Sequence, residues 1–314
     1  MIPLLLVVIS LSAQNLTPEM LAEIGKVSAV GITKDGKSVI YKVRQYNIGE
    51  NEGVAQLYII PIEGGEPKKI DETGDLVADK NLSPDGKSEL ISKEVKIEKV
   101  FGIDYYPELG ESEMMIYDDL NYRHWDVWED GKYSHVIIKN GDTELDLMND
   151  QPYDCPQKPF GGDEDYIWGP EGKTVLYVTK QTKGKDYAVS TNTDIFEYNI
   201  VTKETKNLTE GMMGYDVAPA YSSTGTLAWL SMKRDGYESD KNDIIILNGS
   251  EKVNLTKDWD GTVSGFIWSK DGATIYFTAS TAGTKQVYQV NFDNNVAEVQ
   301  QITRGQFDIR SIVG

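Results

Sequence analysis

A turn centred on glycine, preceded by an acidic or small residue and followed by an alternating apolar stretch, recurs along this chain. No other feature limits the fold as much. The instances are Thr33-Lys34-Asp35-Gly36-Lys37 before Val39, Ile40 and Tyr41, then Ser83-Pro84-Asp85-Gly86-Lys87, then Gly169-Pro170-Glu171-Gly172-Lys173 before Val175, Leu176 and Tyr177. Ser222-Ser223-Thr224-Gly225 before Leu227 and Trp229, and Ser269-Lys270-Asp271-Gly272 before Ile275 and Tyr276, complete the regular set; Asp130-Gly131-Lys132 is a shorter case. Glycine supplies the positive-φ position that joins antiparallel strands, and β-branched and aromatic residues fill the strand behind it.

A second element follows each turn. Asp194-Ile195-Phe196-Glu197-Tyr198 leads to Asn207-Leu208-Thr209, Asp243-Ile244-Ile245-Ile246-Leu247 to Asn254-Leu255-Thr256, and Gln286-Val287-Tyr288-Gln289-Val290 to Gln301-Ile302-Thr303. The three threonines fall 47 residues apart. A repeat of about 40–50 residues holding four short strands is the size of one propeller blade. The turn glycines at 36, 86, 172, 225 and 272 are separated by 50, 86, 53 and 47 residues. The gap of 86 exceeds one blade, and it contains the Gly131 turn and an insertion-like stretch from Val100 to Asp119 rich in tyrosine and acid. The spacing therefore predicts an all-β, WD40-like propeller of about six to seven blades. Its span is 27–314, preceded by a lead-in over 15–26 with a short helix at Thr17-Pro18, where threonine caps and proline takes the first helical position. A further blade begins at Phe307-Asp308-Ile309, so the ring is expected to be truncated and unclosed.

Composition narrows the function classes. The net charge of −19, from 31 basic and 50 acidic side chains, repels phosphate backbones and argues against nucleic acid. Cys155 is the only cysteine, which excludes an intrachain disulfide and a cysteine-rich metal site. Met1 to Ala13 is an apolar run ending in small residues, too short to span a bilayer, and residues 1–14 read as a secretory signal peptide without its usual basic start. The mature chain is expected to be exported, periplasmic or extracellular, with no membrane span.

Nearly the whole mature chain, from about Leu16 to Thr303, resembles the amino-terminal propeller of prolyl-oligopeptidase-family serine peptidases, above all secreted bacterial members of the dipeptidyl and acylaminoacyl type. The resemblance rests on Leu16-Thr17-Pro18-Glu19-Met20-Leu21 with the Gly36 turn, on Tyr122-Arg123-His124-Trp125-Asp126-Val127-Trp128, on Asp130 to His135, and on Pro159-Phe160-Gly161-Gly162-Asp163-Glu164-Asp165-Tyr166-Ile167-Trp168. It implies a cap that restricts entry of peptides to an α/β-hydrolase domain bearing a Ser-Asp-His triad. No Gly-x-Ser-x-Gly elbow occurs; Gly261-Thr262-Val263-Ser264-Gly265 has its serine one position off. The resemblance thus transfers an association with peptidase function and no catalytic residue, and this chain alone is expected to be inactive.

Individual residues favour structural roles. The only histidines, His124 and His135, are expected to pack among Trp125, Trp128 and Tyr133; a metal set of His124, Asp126 and His135 lacks ligand spacing. Asp118-Asp119, Asp163-Glu164-Asp165 and Asp258 with Asp260 are the acid clusters that a propeller glycosidase would need, yet 50 acids make such pairs common by chance. Trp168, Trp229 and Trp268 fall at recurring strand positions and read as blade core. Arg123 suits a peptide carboxylate, although an ion pair with Asp126 or Asp118 is the plainer reading. Cys155 beside Pro156 reads as a loop residue. No catalytic residue, cofactor or metal site is therefore assigned. The function expected is substrate gating in a secreted serine peptidase of short peptides. The alternative is a stand-alone periplasmic TolB-like scaffold for protein partners.

Overall fold

The structure, a computed structural model, describes residues 15–120, 122–293 and 296–314, so the predicted signal peptide lies outside the described residues. It divides into two compact units, one ending at Ala78 and one running from Asp79 to Ile312. In the first unit, α1 (Pro18–Glu23) starts at Thr17, whose Oγ1 accepts the Met20 N–H at 3.2 Å. β1 (Lys26–Ile32), β2 (Ser38–Asn47), β3 (Glu52–Pro61) and β4 (Lys68–Ile70) then form an antiparallel meander in chain order.

The second unit holds four further blades. The first of them pairs β5 (Glu89–Lys96), β8 (Lys132–Asn140) and β9 (Thr143–Asp146), with a small hairpin of β6 (Arg123–His124) and β7 (Val127–Trp128) between β5 and β8 in sequence. The next is β10 (Tyr166–Trp168), β11 (Thr174–Thr179), β12 (Asp194–Asn199) and β13 (Thr205–Asn207). β14 (Asp216–Tyr221), β15 (Leu227–Ser231), β16 (Asp243–Asn248) and β17 (Glu251–Asn254) follow. β18 (Val263–Trp268), β19 (Thr274–Thr281), β20 (Thr284–Asp293) and β21 (Val296–Gln301) complete the set.

The described residues thus hold five blades, one in the first unit and four in the second, fewer than the six to seven that the spacing predicts. The long gap is one blade with an insertion, since β5 pairs directly with β8, Glu89 opposite Lys139 and Lys96 opposite Lys132, across the intervening segment 97–131. The Gly131 turn closes that insertion and starts no new blade. The innermost strand of this blade shrinks to a single bridge between Leu82 and Glu89, so its sequence signal is faint.

The recurring turns work through their side chains. Thr33 Oγ donates to Asp35 at 2.6 Å while Asp35 accepts the Lys37 N–H at 3.0 Å, and Ser83 with Asp85 and Ser269 with Asp271 repeat the arrangement. Gly36 adopts φ +70°, and its counterparts lie between +67° and +87°. Behind the turns the strands pack on both faces. On β11, Val175 and Tyr177 join a core with Leu90, Val136 and Met148 of the preceding blade, while Leu176 and Val178 join one with Leu227 and Trp229 of the following blade. Phe277 and Tyr288 stack across β19 and β20 at 5.5 Å, with Trp259 edge-on to Phe277. Burying each such aromatic or aliphatic side chain contributes roughly 1.5–3 kcal/mol.

The 47-residue threonine spacing is a clasp. Thr209 Oγ donates to Asp194 at 2.8 Å and accepts the Ile195 N–H at 3.0 Å, and Thr256 does the same with Asp243 and Ile244 at 2.7 and 3.0 Å. Thr303 repeats it with Gln286 and the Val287 N–H at 2.8 and 2.9 Å. Each clasp ties the exit of a blade's outer strand to the start of its third.

Candidate functional site

Antiparallel order puts the connection between a blade's second and third strands at the same end as the link to the next blade. In two neighbouring blades these connections are elaborate. After β5 the chain leaves as 97–131, forms the short helix α2 (Gly102–Tyr105), and returns at Gly131, whose carbonyl accepts the N–H groups of Ile97 and Glu98 at 2.9 and 3.0 Å. Gly131 has φ +77°, and a Cβ there would overlap the Glu98 carbonyl, so only glycine fits. Between β11 and β12 lies α3 (Gly184–Val189). These segments and the link through Pro152, Tyr153 and Asp154 enclose a cavity of about 420 Å³.

Its lining is carboxylate and phenol. Glu98, Asp118, Asp119, Glu129 and Asp154 face it, against Lys99 and Lys183, together with Tyr105, Tyr117, Tyr122, Tyr133, Tyr153 and Tyr187. Glu98 joins the two sides, accepting the Tyr133 hydroxyl at 2.8 Å and pairing with Lys183 at 3.1 Å. Burial, reinforced by Glu98, holds the Tyr133 phenol far above its ordinary range, and burial does the same for Tyr187. Both remain neutral hydroxyls at any physiological pH. Burial also raises Glu129 and Asp154, and Lys158 works against it in both. Lys158 Nζ lies 3.3 Å from Asp154 and 3.9 Å from Glu129. Tyr117, Tyr122 and Trp128 stack into one wall, with the Tyr117–Tyr122 and Tyr122–Trp128 centroids 5.5 and 5.8 Å apart. Such a site can hold a cation against carboxylates and ring faces.

The residues singled out in the sequence divide sharply. Asp118 and Asp119 line the cavity. Arg123 makes no ion pair with Asp126 or Asp118, contrary to expectation; among the described residues it sits instead over the Trp128 ring at 5.7 Å, because the tight β6–β7 hairpin sets Arg123 directly opposite Trp128. His124 packs on Trp125 with ring centroids 4.8 Å apart. His135 is fully buried, hydrogen-bonded to Asp146 at 2.8 Å and to the Gln151 carbonyl at 2.9 Å. It occupies the clasp position that Asp194 and Asp243 fill elsewhere, with Asp146 on the opposing strand as partner. Cys155 is fully buried and its thiol is pushed well up by burial. Asp165 is also buried, raised to about 7 by burial, and accepts the Gln157 N–H at 3.0 Å. Asp258 is exposed beside Lys257. The indole N–H groups of Trp168, Trp229 and Trp268 donate to the Asn81 carbonyl, Asp216 and the Ala220 carbonyl, all within the blades. Ser264 lies within β18, at a strand irregularity and not at a strand-to-helix elbow. Among the described residues no three His, Cys, Asp or Glu side chains cluster as metal ligands, and no helix is long and apolar enough to cross a membrane. Sequence reading missed Glu98, Glu129, Asp154, Lys158 and Tyr187. The tyrosine- and acid-rich stretch from Val100 to Asp119 lines the same cavity but contains none of these five.

Comparison with known proteins places this architecture. Dipeptidyl-peptidase 5 of Porphyromonas gingivalis is 30% identical over 95% of this chain and 50% of its own length; that of Porphyromonas endodontalis is 28% identical over 93% and 49%. The acylaminoacyl peptidase of Pyrococcus horikoshii superposes with a TM-score of 0.63 over 94% of this chain and 48% of its own, at 15% identity, which establishes the shared fold. The chain is a β-propeller similar to that of prolyl-oligopeptidase-family peptidases. No family model matches it. It spans about half the length of the curated relatives it matches, and among the described residues the sheets are antiparallel blades.

Proposed function

We propose that this chain is the substrate-access region of an exported dipeptidyl peptidase, limiting entry to short peptides and holding their charged amino end in the cavity of Glu98, Glu129 and Asp154. The observation that carries the reading is that cavity. Five carboxylates and six tyrosines converge on one space, in a chain whose relatives are named for removing dipeptides, a reaction that must find a free amino end. Neutral phenols and carboxylates suit an ammonium, and the acid excess disfavours acidic peptides. The apolar opening from Met1 to Ala13 supports export.

Calorimetric titration with glycylglycinamide and its N-acetyl derivative tests the amino-end role. The free amine is expected to bind and the acetylated form to bind at least tenfold more weakly, a difference of about 1.4 kcal/mol or more. Equal affinity for both would overturn the reading.

A further inference from the structure

Two of the cavity's carboxylates, Glu129 and Asp154, already share one ammonium, and it belongs to the chain. Lys158 leaves the link between two blades and places Nζ between Asp154 and Glu129. The Lys158 carbonyl accepts the Tyr187 hydroxyl at 3.4 Å, and Tyr187 lines the same cavity. Asp154 is held more firmly than the lysine. Asp154 accepts the Ser134 N–H at 2.8 Å and its side chain is 6% exposed, whereas the Lys158 side chain is 38% exposed. The 3.9 Å approach to Glu129 is long for a charge-assisted contact. His124 and Asp130 act on Glu129 from the hairpin side, and His135 acts on Asp154 from β8.

Resting on the reading above, we propose that Lys158 is a resident ammonium that fills the Glu129–Asp154 pair until an incoming ammonium displaces it, and so sets which cations the cavity retains. Two carboxylates and one lysine leave the trio one negative charge in excess when all are ionised. A ligand ammonium therefore enters without creating a positive site, and the flexible, part-exposed lysine is free to swing into solvent. Lys158 is here a specificity-determining residue, acting by competition.

Titration of Lys158→Met and the unaltered chain at pH 8, with methylammonium chloride and with glycylglycinamide, decides the matter. Displacement predicts that the variant binds methylammonium roughly tenfold more tightly. Unchanged or weaker binding, or a variant that retains no methylammonium, overturns it, since the freed pair would then have taken up a proton or collapsed. Should Lys158→Met fail to fold, Lys158→Arg decides: a forked guanidinium holds the pair harder, so methylammonium binding should weaken, and unchanged affinity overturns the proposal. If methylammonium behaves as expected while glycylglycinamide binds no better than its acetylated form, the competitor role stands and the amino-end function falls.

Discussion

Thr256 shows how one hydroxyl carries a repeat. It donates to Asp243 and accepts the Ile244 N–H from an environment with almost no solvent access. Replacing it with valine keeps the shape but strands both partners. Thr256→Val is expected to cost about 1–3 kcal/mol in urea unfolding, while Thr256→Ser costs distinctly less; equal costs would mean that the methyl, and not the hydroxyl, matters. Asp216 makes the complementary case. Fully buried, it accepts the Trp229 indole N–H at 2.9 Å, and burial lifts its carboxyl to about 7, against the pull of hydrogen bonds from Ser231 and Trp229. The unfolded carboxyl ionises near 3.9, so between that value and about 7 the folded state carries the extra proton and stability falls as pH rises. Asp216→Asn keeps an acceptor for Trp229 and removes the titration. Unfolding curves from pH 4 to 8 should show the variant gaining on the unaltered protein by up to about 4 kcal/mol. A gap independent of pH would show that Asp216 does not titrate in this window.

At the scale of elements, what the sequence discloses depends on how far apart paired strands lie. β10 to β21 pair in chain order within their blades, so their turns and apolar runs are readable in order. β5 and β8 are partners across segment 97–131, and no local pattern announces that pairing. The Asp130-Gly131 turn looks like the others, yet its role differs: Gly131 pins both ends of the insertion through its carbonyl. The cavity was hidden for the same reason. Its lining comes from three separated segments, and only the fold aligns Glu129 with Asp154 and Lys158. Asp118 and Asp119 were visible as a cluster without any sign that they faced Tyr187. Gly131→Ala tests the insertion as an element. A left-handed φ and overlap with the Glu98 carbonyl should destabilise it by more than about 1 kcal/mol. Limited proteolysis should cut first within 97–131, with glycylglycinamide affinity falling in step. Cleavage elsewhere first would show that the insertion does not depend on this closure.

At the scale of the whole molecule, two electrostatic explanations for cation binding compete, and salt separates them. The net charge of −19 surrounds the chain with a negative field that attracts any cation, whereas the cavity offers specific carboxylates, among them Asp154 with almost no solvent access. Exposed charges are screened beyond about 30 Å at 0.01 M salt and about 8 Å at 0.15 M, while partly buried pairs are screened much less. If the field alone gathered ammonium ions, raising the salt across that range would abolish binding. If the cavity holds them, affinity for glycylglycinamide should fall only about two- to fivefold and level off, because the close contacts survive when the distant ones are screened. The same titration with Glu129→Gln supplies the contrast. Removing one near carboxylate while leaving the surface field almost intact should cost more affinity at 0.15 M than salt does in the unaltered chain. A Glu129→Gln chain that binds as well as the original would move the ligand out of the cavity and onto the surface.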